Sequence, residues 1–291
     1  MVDKQGIPGS KPRWLKVKAP GSAECLEVER LLKGLKLHTV CQSASCPNRG
    51  QCWDNREAAF MILGNVCTRR CGFCDVTTGR PQPVDPEEPQ RLAEAALVLG
   101  LKHVVITSVN RDDLFDGGAS QFAACVNALR STTAPPSVEV LTPDFQGRAQ
   151  SLDLVLDAHP EVFNLNVETV PRLYAKVRPA SDYERVLRLL SQATDHGTVS
   201  VKSGIMLGLG EDPEEVVQTL DDLRRSGVTM VTIGQYLRPG PTHLPVERYV
   251  PPDEFERLGE TARNMGFYKV ASHPLARSSF HAERLFHGPS S

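Results

Sequence analysis

The sequence predicts an α/β chain wound into a curved, partly open, TIM-like (β/α)6 barrel with an extension at each end. Three observations predict it. Apolar runs bounded by turn residues alternate six times with amphipathic helical stripes between Phe60 and Met265. Runs such as HVVITSV (103–109) are apolar almost throughout, as suits parallel strands covered on both faces. The chain has 291 residues, 40% of them hydrophobic, enough for one large core. A doubly wound sheet is the alternative topology. Either arrangement places ligands at the carboxyl ends of the strands.

Residues 1–22 are rich in Gly, Pro, Lys and Ser and are expected to be mobile or draped over the surface, with Trp14 and Leu15 docking locally. Residues 23–37 read as a helix, because Cys25, Val28, Leu32 and Leu35 share one face. Cys25 is therefore read as core. The stretch CQSASCPNRGQCW reads as a loop, since Pro47, Asn48 and Gly50 disfavour regular structure. FMILGNV (60–66) reads as the first strand and runs straight into CTRRCGFC. A helix near 86–99 and the strand 103–109 follow, then a helix near 120–131 and the strand 138–144. Next come a helix near 150–158, the strand 162–169 and a helix at 182–195. The strand 200–209, a helix at 213–226, the strand 230–237 and a helix at 252–265 complete the rhythm. Glycines at 100, 197, 227 and 266 stand where helices end. The expected divisions are an N-terminal extension (1–58), the barrel (59–267) and a C-terminal extension (268–291).

Net charge is −2, from 33 basic and 35 acidic residues well mixed along the chain, which gives no signature for nucleic acid. The N-terminus lacks an apolar signal region, and no run approaches the length of a membrane span. A cytoplasmic protein is expected. Thiols there stay reduced, so clustered cysteines point to metal binding or catalysis rather than disulfides.

Six of the eight cysteines lie between Cys41 and Cys74, in two triplets. Cys41, Cys46 and Cys52 form C-x4-C-x5-C; Cys67, Cys71 and Cys74 form C-x3-C-x2-C. A structural zinc site needs four ligands. Three thiolates per site point instead to an iron–sulfur cluster with one iron held by something else. The histidines form no metal-spaced group, and GLGE (208–211) is either a ligand cradle or a turn.

CTRRCGFC, with Phe73 before its last cysteine, resembles the cysteine motif of the radical S-adenosylmethionine (SAM) enzymes. The resemblance implies the partial barrel of that superfamily and a [4Fe–4S] cluster on Cys67, Cys71 and Cys74. It also implies SAM bound at the fourth iron and cleaved to a 5′-deoxyadenosyl radical. CQSASCPNRGQCW closely resembles the second cysteine motif of the lipoyl synthase family, and ARSSF (276–280) resembles that family's C-terminal Arg-Ser-Ser motif. TSVNRDDL (107–114), NVET (166–169) and GIMLGLGE (204–211) match as well, with Phe280 standing where Tyr is more usual. This second resemblance implies an auxiliary [4Fe–4S] cluster held by Cys41, Cys46, Cys52 and Ser279. A hard serine oxygen binds iron less firmly than a thiolate and can leave, so such a cluster can open and give up sulfide. The implied reaction is insertion of two sulfur atoms at C6 and C8 of a protein-bound octanoyl group. The implied partners are an octanoylated lipoyl carrier domain (H protein or a 2-oxoacid dehydrogenase E2 subunit) and a ferredoxin or flavodoxin reductant.

Candidates for holding SAM come from strand ends: Thr107 and Ser108 on the second strand, Asn166 and Glu168 on the fourth, and Arg178 for the methionine carboxylate. Asn166 and Glu168 share a face if the strand alternates through them. Asn110 to Asp113 follow the second strand on the active side, and Lys202 points in or out according to register. Biotin synthase and tRNA methylthiotransferases also use C-x3-C-x2-C but lack the other two motifs together. An electron-transfer iron–sulfur protein would saturate every iron with cysteine. Cys41 to Cys52 and Ser279 are over 200 residues apart, so the chain's two ends are expected to meet over the barrel mouth.

Overall fold

The computed structural model describes residues 11–17 and 19–287. The expected mobility of the first residues falls mostly outside that range. Within it, a 3-10 turn, Arg13–Leu15, buries Leu15, while Trp14 stays 43% exposed. The chain continues through α1 (Ala23–Gly34), β1 (His38–Thr39), α2 (Val40–Ser43), α3 (Arg49–Asp54) and β2 (Ala59–Ile62). Then come α4 (Glu88–Leu99), β3 (His103–Ser108), α5 (Ala119–Arg130), β4 (Ser137–Leu141), α6 (Ala149–Leu156) and β5 (Val162–Asn164). The remainder is α7 (Tyr174–Val177), α8 (Tyr183–His196), β6 (Ser200–Leu207), α9 (Pro213–Arg225), β7 (Met230–Gln235), α10 (Pro252–Asn264), β8 (Lys269–Ser272) and α11 (Ala282–His287). No helix among the described residues is long and apolar enough to cross a membrane.

One eight-stranded sheet runs in strictly sequential order, β1 to β8, with β1 antiparallel and every other pair parallel. A doubly wound sheet would reverse its strand order about the middle. Sequential order selects the open barrel. Two edge strands exceed the six that the pattern suggested, and both lie in the expected extensions. β1 has two residues and β8 four, all of the latter only half-buried, so neither carries an apolar run to read.

Helix faces pack as the periodicity requires: Leu92, Ala95, Ala96 and Leu99 of α4 and Val216, Leu220 and Leu223 of α9 are buried. On α8 the buried set is Tyr183, Val186, Leu189, Leu190 and Ala193, with Leu187 only partly covered. Gly100 (φ 66°) and Gly197 (φ 75°) end α4 and α8 in the left-handed conformation that glycine adopts without strain.

The first triplet departs from a simple loop. Thr39 accepts from the Gln42 amide at 3.3 Å and starts α2; Pro47 and Asn48 separate it from α3. Helices of four and six residues are too short to show a periodic stripe, which is why the sequence reads there as irregular. Cys25 belongs to the core, as its place on α1 suggested.

After β8 the chain turns into the hollow of the sheet. A Cβ on Gly234 would collide with the Ala276 carbonyl, and one on Gly204 would stand 3.0 Å from Ser278 Oγ. The segment 275–281 is thus laid against β6 and β7 where they have no side chains. Gly234→Ala should lower stability by ~1–3 kcal/mol in urea unfolding, the usual cost of overfilling a packed interior. An unchanged midpoint would mean the segment does not sit there.

Candidate functional site

The C-x3-C-x2-C loop leaves β2 through Leu63 and Gly64, both at positive φ, and is fixed by backbone bonds on each side. Cys67 N donates to Thr77 O at 2.8 Å, and Gly79 N to Cys67 O at 3.0 Å. Gly72 N donates to Val177 O at 2.9 Å and Leu244 N to Gly72 O at 3.0 Å, so Gly72 is clamped between two loops. A Cβ there would come within 2.8 Å of the Leu244 side chain. Cys67 Sγ accepts from the amides of Arg69 (3.4 Å) and Asn110 (3.3 Å). Such bonds stabilise charge on a sulfur, and hydrogen bonds to sulfur are among the levers that set a cluster's potential.

Arg69, inside this loop, carries no local signal in the sequence that singles it out. Its guanidinium is buried and makes 2.7 Å bonds to both oxygens of Asp112 and a 2.8 Å ion pair with Asp144. It thereby ties the cysteine loop to the ends of β3 and β4. Burial works against the Asp144 carboxylate, but Arg69 and the Ser181 hydroxyl hold its pKa below the ordinary 3.8. Of the Asn110–Asp113 stretch, Asn110 serves Cys67, Asp112 serves Arg69, and Arg111 pairs with Asp113 at 2.8 Å.

These elements open on a cavity of about 540 Å³ lined by Cys67, Cys71 and Cys74 together with all five SAM candidates, Thr107, Ser108, Asn166, Glu168 and Arg178. Thr107 Oγ1 donates to Leu141 O at 2.9 Å. The expected strand through Asn166 and Glu168 breaks after Asn164 and re-pairs at Glu168, which takes φ 67°. The two side chains still meet: Asn166 Nδ2 donates to Glu168 Oε1 at 3.2 Å. Arg178 Nη1 donates to Asn166 O at 2.7 Å. Burial raises the Glu168 pKa, opposed by Arg178, Asn166 and Arg277. GLGE is a self-closed turn, for the Glu211 carboxylate takes the Gly208 and Leu209 amides at 2.6 and 2.9 Å.

Among the described residues, four that line the cavity carry a buried polar atom with no protein partner: Ser108 Oγ, Asn110 Oδ1, Thr142 Oγ1 and Arg178 Nε. Buried polar atoms of that kind are costly unless a ligand or water meets them. A zwitterionic nucleoside such as SAM offers the matching donors and acceptors, so the residues present fit that group.

A second cavity, about 300 Å³, is lined by Cys41, Cys46, Cys52 and Ser279. Ala59 and His103, at the starts of β2 and β3, also line it. Cys46, Arg277 and Ser279 line both cavities. The ends of the chain therefore do meet, but beside the entry ends of β2 and β3 rather than only over the mouth. Asn48 Nδ2 donates to Leu275 O at 2.8 Å across 227 positions of sequence. Arg277, whose role the sequence left open, has a pKa lowered by burial, with Cys46 and Glu168 pulling the other way. It stands between the two cavities in charge as well as in space.

Burial raises the Cys41 pKa to about 11, with Cys46 adding to it. It raises Cys52 as well, with Cys41, Glu57 and Cys46 contributing. Cys74 is pushed up to about 12 by burial and by Cys71 and Cys67. Each triplet is thus near enough to feel its own members, and binding must displace protons. Among the described residues no three His, Cys, Asp or Glu side chains converge on a single metal ion. A four-iron cluster takes each thiolate at a different iron, and a soft sulfur donor set suits it.

The chain matches the family described as the Radical SAM superfamily over residues 61–223. It is 54% identical to a lipoyl synthase of Nitrosococcus oceani over 282 residues, 96% of this chain and 87% of that one. It is 55% identical to a lipoyl synthase of Methylococcus capsulatus over 96% of this chain and 87% of the relative. Among solved structures, the FeFe-hydrogenase maturase HydG from Carboxydothermus hydrogenoformans aligns with TM-score 0.59 at 17% identity, covering 72% of this chain and 52% of that one. Streptococcus suis SuiB bound to S-adenosylmethionine aligns with TM-score 0.56 at 12% identity, covering 75% of this chain and 50% of that one. The chain spans about half the length of those structures, and at such identity they speak for the fold alone.

A carboxylate held below its ordinary pKa favours the folded state in full above that value and loses the contribution as pH falls through the lower, folded one. Asp144→Asn should cost ~3 kcal/mol at neutral pH by stranding part of the Arg69 charge. Urea unfolding should show that difference shrinking below the ordinary 3.8 of the carboxyl. A difference that is the same at both pH values would contradict the pairing.

Proposed function

The chain belongs to the lipoyl synthase family of the radical SAM superfamily, and from that premise we propose how its two cavities divide the reaction. It is an enzyme that inserts two sulfur atoms at C6 and C8 of a protein-bound octanoyl group, with a [4Fe–4S] cluster and SAM as its cofactors. When bound, these groups supply the radical that removes hydrogen from unactivated carbon.

In the proposed division, Cys67, Cys71 and Cys74 hold the SAM-cleaving cluster at the carboxyl ends of the strands. Thr107, Ser108, Asn166, Glu168 and Arg178 hold SAM beside it. In this division the Glu168 carboxylate would accept from ribose hydroxyls, and the Nε of Arg178, which has no partner among the described residues, would meet the methionine carboxylate. Cys41, Cys46, Cys52 and Ser279 hold an auxiliary [4Fe–4S] cluster that is the sulfur donor. The observation that carries this reading is Ser279, which lines the auxiliary cavity and the SAM cavity alike. An octanoyl chain reaching into the larger cavity would pass Met61, Leu141 and Met206, which are apolar. A carrier domain docked over the open end would exclude water from a reactive carbon. The proposed partners are an octanoylated lipoyl carrier domain docked over the open end and a ferredoxin or flavodoxin as electron donor.

The division is tested by uncoupling. Ser279→Ala should leave 5′-deoxyadenosine release largely intact while lowering lipoyl product at least ~10-fold, the scale of losing a cluster's supporting contact. Alanine at Cys67, Cys71 or Cys74 should abolish 5′-deoxyadenosine release outright. Equal collapse of both readouts in Ser279→Ala would remove the serine from the sulfur site.

A further inference from the structure

The barrel interior holds a charge pair that the chemistry above does not use. Lys202 on β6 and Glu139 on β4 are both 0% exposed, with Nζ at 2.9 and 3.0 Å from the two carboxylate oxygens. Neither residue lines either cavity. Taking both charges out of water offsets most of their attraction, so an apolar pair of the same size would serve stability as well. The pair calls for another role.

Its remaining bonds supply one. An ammonium has three protons to give. Lys202 Nζ also donates to the backbone carbonyl of Ser278 at 2.7 Å. Glu139 is held in turn by Asn164 Nδ2 at 2.8 Å, so the ammonium cannot swing away with its counter-charge. Ser278 is caught from the other side as well, its hydroxyl donating to Asn166 Oδ1 at 2.9 Å. Beneath it Gly204 leaves no room for a side chain. Ser278 is therefore fixed from the sheet through its carbonyl and from the SAM side through its hydroxyl. The next residue is Ser279.

We propose that Lys202, backed by Glu139, is a positioning residue that grips the Ser278 carbonyl and so presents the Ser279 hydroxyl to Cys41, Cys46 and Cys52. The effect passes through the backbone of one residue and touches no reacting atom. It rests on the reading of Ser279 given above. Replacing Lys202 would free the segment to turn, and the hydroxyl would be lost from the triplet with the SAM side still assembled.

Hydrogen–deuterium exchange on the full chain with its clusters reconstituted tests this. Lys202→Met alone strands the Glu139 charge, so the double variant Lys202→Met/Glu139→Leu, which removes both charges of the pair, is measured beside it. In the double variant, exchange over 275–281 should rise roughly ten-fold, the loss of one charge-assisted bond, while β3 and β6 keep their protection. The ratio of 5′-deoxyadenosine released to lipoyl product should rise with it. Unchanged exchange at 275–281 overturns the proposal directly, as does a loss of protection spread evenly over the sheet. Loosening of 275–281 combined with normal product from Ser279→Ala overturns it through the reading beneath, so the two failures are distinct.

Discussion

A sheet whose eight strands run in sequential order without β1 and β8 becoming neighbours leaves its hollow open at one side, and that gap constrains everything else. An interior of apolar side chains would have to be sealed from water there. Segments from both sides of the barrel sequence come together at that hollow. The cysteine-bearing helices α2 and α3 come from one side, and the segment after β8 from the other, joined by Asn48 and Leu275. Several polar residues stand inside this barrel by meeting one another: Lys202 with Glu139, Ser278 with Asn166, Arg178 with the Asn166 carbonyl.

That meeting sets the relation between the two cavities. The strand ends carry one triplet, as ligand sites on parallel βα scaffolds do. The second triplet lies lower, near the starts of β2 and β3, and Cys46, Arg277 and Ser279 line both cavities. In the proposed division a radical generated above and a sulfur source held below would address the same carbon chain from two sides. The scaffold gives this geometry rigidity through buried ion pairs, of which Arg69 with Asp112 and Asp144 binds the upper triplet to two strand ends.

Much of this was legible in the sequence, and for definite reasons. The triplets are local, so spacing alone displays them. The βα rhythm is legible because parallel strands are apolar throughout and their helices are amphipathic. β1 and β8 escaped because an edge strand of two to four residues without an apolar run has no pattern to show. The break after Asn164 escaped because Leu165 and Val167 keep the apolar alternation through the kink. Lys202, Arg69 and Arg277 could not be assigned from sequence, since a buried arginine or lysine is marked only by partners distant in the chain. Ser279 came into view through its resemblance, and its place beside both triplets rests on contacts between residues far apart.

In the proposed reaction the sulfur comes from a cluster that the chain itself holds, not from free sulfide. The direct measurement is the mass of the product made when both clusters are built with heavy sulfide and the medium contains only light sulfide. An octanoylated carrier domain, SAM and a reductant, incubated without oxygen, should yield a lipoyl group bearing two heavy sulfur atoms. A product carrying light sulfur, or no sulfur at all, would contradict it.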